Sequence, residues 1–190
     1  MIIRTLLTAV FAVIFLTAGS AGAAEFSAEL INTHRGQKNI AKIYVQAEKM
    51  RMETPGTEEY TILRSDKKLI WIVIPDEKTY IEIPTTPAPR GDAKMKGEIG
   101  RELVGSETVN GYETKKYEVR YLDQDTLHKA HQWIASDLNY PIKISALDGS
   151  WSTEYRDIKA GPQDKSLFEI PEGFDRVSRF EPAPAVPQGK

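Results

Sequence analysis

Apolar and polar residues alternate along most of the chain. Phe26, Ala28 and Leu30 are separated by Ser27 and Glu29, and Met50 and Met52 flank Arg51. Tyr60 and Ile62 flank Thr61, and Tyr117, Val119 and Tyr121 enclose Glu118 and Arg120. Ile142, Ile144 and Ala146 alternate with Lys143 and Ser145, and Trp151, Thr153 and Tyr155 with Ser152 and Glu154. A period of two predicts strands with one face buried. Residues 69–74 form a continuous apolar run, Leu-Ile-Trp-Ile-Val-Ile, whose β-branched content predicts a strand covered on both faces.

The breaks are chemically turn-like. Arg35-Gly36, Pro55-Gly56, Pro75-Asp76 and Asp148-Gly149 separate strand candidates, and Asn110-Gly111 predicts a tight hairpin because both residue types accept positive φ. The spacing predicts an antiparallel meander. Helix is scarce: residues 92–103 predict a short helix interrupted by Gly97 and Gly100, and residues 123–136 read either as a helix capped by Asp123 or Asp125 or as a strand, the strand being favoured from about Lys129. Pro84 and Pro89 bound an irregular crossing loop, and residues 181–190 a Pro-rich disordered tail.

The first residues stand apart from this pattern. Arg4 precedes an uncharged apolar run over residues 6–16 and a small-residue stretch containing Ala21-Gly22-Ala23. A spanning helix needs about 20 apolar residues, so residues 1–23 predict a secretory signal, cleaved after Ala23 or Ala24. The chain is expected to be exported and not membrane-spanning after cleavage. Strands of an outer-membrane barrel run about 9–11 residues. Many runs here are shorter and carry charge on both sides, so a barrel is not expected.

Composition removes several classes. The 190 residues carry 25 Lys+Arg against 27 Asp+Glu, which gives no basic footprint for nucleic acid. With no cysteine, disulfides, thiol catalysis and Cys-based metal sites are excluded, as is a lipid anchor on the chain itself. His34, His128 and His131 are the histidines; on a strand, His128 and His131 point to opposite faces and cannot share a metal. The nucleophile elbow, zinc-protease helix, P-loop and dinucleotide fingerprint are all missing. No enzyme, metal or cofactor is expected.

The remaining signal is aromatic and methionine-rich. Tyr44, Met50, Met52, Trp71, Tyr80, Tyr117, Tyr121, Trp133, Trp151 and Tyr155 all fall on strand candidates. They read as core, or as candidate residues of an apolar ligand site on a curling sheet.

The ordered segments carry a family resemblance. Phe26-Ser27-Ala28-Glu29 is followed by Ala41-Lys42-Ile43-Tyr44-Val45, Lys49-Met50-Arg51-Met52-Glu53 and Ile70-Trp71-Ile72-Val73-Ile74-Pro75. Val109-Asn110-Gly111-Tyr112 and Phe168-Glu169-Ile170-Pro171-Glu172-Gly173-Phe174 come later. Together they resemble periplasmic proteins related to the LolA/LolB lipoprotein-carrier superfamily. The resemblance implies a mainly β fold over residues 24–180, a strongly curved antiparallel sheet forming an unclosed half-barrel. It also implies a periplasmic location and an apolar cavity for acyl chains. The chain departs from the carriers in entering a strand at Phe26 with no preceding helix. Only residues 92–103 are a candidate lid, and neither Arg51 nor Arg64 matches the carriers' cavity arginine. The expected function is a periplasmic carrier holding a lipid or lipidated protein; the alternative is an envelope protein–protein interaction or sensor module.

Overall fold

The computed structural model describes residues 24–85 and 94–178. The signal segment, most of the proline-rich crossing loop and the C-terminal tail named above lie outside the described residues.

Strands fill nearly all of it. The first half runs β1 (Glu25–His34), β2 (Gln37–Gln46), β3 (Lys49–Glu53), β4 (Tyr60–Arg64), β5 (Leu69–Ile74) and β6 (Thr79–Pro84). The second runs β7 (Glu98–Val109), β8 (Tyr112–Asp123), β9 (Thr126–Ala135), β10 (Tyr140–Ala146) and β11 (Trp151–Ala160). A short 3-10 helix, Lys165–Phe168, precedes β12 (Asp175–Val177). Each half is an antiparallel meander, and antiparallel pairing of β1 with β11 zips the two together. The resulting order is β12-β6-β5-β4-β3-β2-β1-β11-β10-β9-β8-β7, with β12 joining β6 in parallel.

The half-barrel expectation is therefore corrected. The protein is mainly β with few short helices, but the sheet is a single open ladder, neither strongly curved nor closed. It ends in two separate edges, β7 and β12. The chain does not need to curl round to cover the aromatic face of β2–β6, because its own residues 162–174 cross that face.

The expected turns form. Asn110 and Gly111 adopt φ of 50° and 83° between β7 and β8, which is the primed geometry that matches strand twist. Arg35 and Gly36 do the same between β1 and β2. A further turn at Gln124-Asp125, with φ of 45° and 62°, lets β9 start at Thr126, ahead of the expected Lys129. Of the helix expected over residues 92–103, residues 92–93 lie outside the described residues, and from Glu98 the chain forms β7 instead. Gly97 and Gly100 interrupt helix but suit this entry, where Gly97 takes φ of 73° and its carbonyl accepts the Leu122 N–H at 2.9 Å.

Three clusters make the core. The central one packs Phe26, Ile43, Val45, Met50, Leu63, Trp133, Tyr140, Ile142 and Tyr155. Register shifts opposite Ser27/Glu29 and at Pro141/Lys143 mark bulges in β11 and β10, the strands that carry Tyr155 and Tyr140, and bulges sharpen local twist. Phe26, Tyr140 and Tyr155 interlock there edge to face, with centroids 5.0–6.2 Å apart. The second cluster joins Met95, Val119, Ala130 and Ile144. The third lies under residues 162–174, where Phe168 covers Tyr60, Ile62, Trp71 and Val73.

Candidate functional site

Directly opposed residues of paired strands share a face, so the ladder register assigns each side chain of the first half. One row runs Ala28–Ile43–Met52–Thr61–Ile72–Ile81–Val177. The next runs Phe26–Val45–Met50–Leu63–Ile70–Ile83. Apart from Thr61, both rows are wholly apolar.

Burial along these rows is graded. Phe26, Ile43, Val45, Met50 and Leu63 are buried, whereas Ile70, Ile72, Ile81, Ile83 and Val177 are half-buried. The residues nearest β12 thus leave an aliphatic surface in contact with water. A groove of about 550 Å³ lies along this edge, lined by Ile81, Ile83, Pro84 and Val177 and rimmed by Glu82, Arg176 and Ser178. Arg176 and Glu82 pair at 3.1 Å across the rim. The size is within the range of small-molecule pockets.

The opposite face of the same strands is closed. Ile62 opposes Trp71, and Tyr60 opposes Val73. Phe168, 0% exposed, seals them with help from Leu167, Ile170 and Phe174. Asp164 caps the 3-10 helix by accepting the Ser166 N–H at 2.9 Å. Arg64, 4% exposed, holds the segment in place. Its guanidinium donates to both Asp66 oxygens at 2.8 and 2.7 Å, to Glu169 Oε1 at 2.6 Å and to the Phe168 carbonyl at 3.0 Å. Arg51 stacks on Tyr60 with its guanidinium carbon 3.6 Å from the ring centroid. Both strand arginines thus secure the closed face. The run over residues 69–74 is consequently covered on one face only: Trp71 and Val73 are buried, and Ile70, Ile72 and Ile74 are not.

The ten residues singled out in the sequence fall into three places. Met50 and Met52 lie on the aliphatic face, Met50 in the central cluster with Trp133 and Tyr155 and Met52 packed against it. Tyr44, Trp71 and Tyr80 lie under or beside the C-terminal segment, and the Trp71 indole donates to Glu82 at 3.0 Å. Tyr117, Tyr121 and Trp151 pack around the second cluster. Ile70, Ile72, Ile81 and Ile83 were not singled out. Their signal was the alternation of Ile81 and Ile83 with Tyr80 and Glu82, visible only once Tyr80 is assigned to the opposite face.

On β9, His128 stacks on Tyr121 at 5.5 Å and His131 meets Trp133 at 5.7 Å. Among the described residues no three His, Asp or Glu side chains gather to hold a metal. No helix among them is long and apolar enough to cross a membrane.

The fold is shared with known structures at low identity. A chain of the Pseudomonas aeruginosa MucA/MucB complex aligns with TM-score 0.54 and 14% identity, covering 78% of this chain and 56% of that one. The structure of PNGF-II aligns with TM-score 0.50 and 13% identity over 83% of this chain and 31% of that one. This chain therefore spans from under a third to somewhat over half of those proteins. A LolA superfamily protein from Nitrosomonas europaea aligns over 80% of this chain and 92% of its own, at 8% identity and TM-score 0.35. No curated protein matches the chain by sequence. Residues 27–140 match the family described as Domain of unknown function (DUF4412), and the chain belongs to that family.

Proposed function

We propose that this chain is an exported binding protein that holds an apolar ligand, of the acyl-chain type, on the aliphatic face of β5, β6 and β12. The observation that carries this reading is the burial gradient along the two aliphatic rows. The same face is dry at Met50 and still wet at Ile72, Ile81 and Ile83. An acyl chain laid along that edge would complete the burial begun at the centre, at about 25 cal/mol per Å² of apolar surface removed from water. Export belongs to the proposal and is supported by the pattern of residues 1–23; the periplasm as destination is supported by the resemblance to the carriers. The role is one of shielding, with no catalytic step.

The test is purification without detergent, followed by native mass spectrometry and titration with a fluorescent fatty acid. A retained lipid mass or saturable probe uptake is expected, with uptake weakened at least tenfold by Ile81→Asn together with Ile83→Asn. A folded protein that carries no lipid and takes up no probe overturns the reading.

The second reading is that the face docks a protein. Its support is the fold shared with a chain of the MucA/MucB complex, a protein–protein assembly. Crosslinking in whole cells separates the two: a defined protein adduct through the β6 edge, with no lipid bound, favours docking.

A further inference from the structure

At the other end of the sheet, β7, β8 and β9 carry a second groove of about 420 Å³, lined by Lys94, Arg101, Lys115, Tyr117, Ser136 and Asn139 among others. Its position follows from the ladder. Leu103 opposes Tyr117, and Lys115 opposes Ile134, so Tyr117 and Lys115 lie on one face as alternate residues of β8. Arg101 joins them from the edge strand.

The charge balance of this groove is one-sided. Among the described residues it is lined by three cationic side chains and no carboxylate. Arg101 is already fixed: its Nε and Nη2 donate to the two Glu98 oxygens, both at 2.7 Å. Glu98, its side chain 4% exposed, also accepts the Met95 N–H at 2.9 Å, which directs its carboxylate into this clamp. The Arg101 guanidinium lies 5.5 Å from the Tyr117 ring centroid, which holds it against the groove wall. Lys94 and Lys115 are exposed and carry no ion pair among the described residues. Lys94, which feels the Glu98 charge without pairing to it, Lys115, a preorganised guanidinium and the side chains of Ser136 and Asn139 line one hollow. That set matches a compact dianion with several acceptor oxygens.

We propose that this groove binds a terminal phosphate dianion, with Lys94 and Lys115 supplying the charge and Arg101 the fixed wall. The site is separate from the aliphatic edge at β6 and β12, and its test does not depend on ligand binding there. The group can come from free phosphate or from a phosphorylated amphiphile.

Calorimetric titration at low ionic strength with inorganic phosphate, and flotation with phosphatidylcholine vesicles with and without phosphatidic acid, distinguish these sources. Saturable binding of free phosphate, weakened at least tenfold in Lys94→Gln/Lys115→Gln, supports the site as a receptor for the free ion. Flotation only with phosphatidic acid, lost in the same variant, supports a headgroup source. The variant changes exposed side chains, and circular dichroism checks its fold. Ile81→Asn with Ile83→Asn is expected to leave both signals unchanged. Absence of both signals, or binding that the double lysine variant does not weaken, overturns the proposal.

Discussion

Arg64 and Glu169, 105 residues apart in the chain, meet at 2.6 Å where the C-terminal segment crosses β4. The arginine is buried and its carboxylate partners are not: the Asp66 and Glu169 side chains are 33% and 50% exposed. Arg64→Met keeps most of the aliphatic stem and removes every bond of the fork. Because the released carboxylates can hydrate, the expected loss is about 2–3 kcal/mol, below that of a fully buried pair. Urea unfolding of the two proteins measures it.

The same contact sets an acid dependence. The Arg64 hydrogen bond holds Asp66 below the usual carboxylate range against partial burial. For Glu169, partial burial pushes upward, but the Arg64 bond and charge outweigh it and the net shift is down. Depressed carboxylates contribute stability above their unfolded pKa, about 4, and lose it as pH falls through their folded values. Acidification below about pH 4 should therefore destabilise the wild type more than Arg64→Met. Parallel acid-limb slopes for the two proteins would count against it.

Tyr140 and Tyr155 set an alkaline limit. Their rings meet edge to face at 5.7 Å, both fully buried. Burial pushes Tyr155 up to about 12. Burial first, then the neighbouring Tyr155, pushes Tyr140 well above the ordinary phenol range. Raised acids contribute stability that is intact below the unfolded value of about 10 and fades as pH rises through the folded one. Phenolate absorbance should show these two tyrosines ionising only as the protein unfolds near pH 12, with Tyr155→Phe removing one of them. Ionisation of all eight tyrosines near pH 10 in folded protein would contradict this.

Gly97 and Gly111 share a left-handed backbone but not a setting. A Cβ at Gly111 meets nothing within 4 Å, whereas at Gly97 it would collide with the Leu122 carbonyl. Gly111→Ala should cost about 1–2 kcal/mol from backbone strain alone. Gly97→Ala adds a clash with backbone that cannot swing aside, and about 3 kcal/mol or more is expected. Equal losses in thermal unfolding would refute the distinction.

What the sequence reveals is local. The alternation at Phe26–Leu30 and the turns at Arg35-Gly36 and Asn110-Gly111 follow from side-chain chemistry acting over a few residues, and the strands follow with them. Pairings across long separations are not encoded that way. Nothing in Trp151–Ala160 announces that it joins β1, or that Asp175–Val177 runs parallel to Thr79–Ile81. The absent curvature has the same origin, since it depends on what covers each face. The sequence shows a continuous run over residues 69–74 but not that Phe168 seals only its Trp71 side. That one-sided cover is what leaves Ile70 and Ile72 half-buried, so the candidate site was hidden even though its residues were in plain view.

The late position of Phe168 has a consequence for synthesis. It lies 104 residues after Arg64, so at about 5–20 residues per second the ribosome delivers the cover roughly 5–20 s after the face it covers. During that interval Tyr60, Ile62, Trp71 and Val73 form an aromatic sheet surface open to any passing strand or helix. Chains cut short before residue 165 should accordingly be recognised in cells by aggregation and turnover while their strand content is still largely intact.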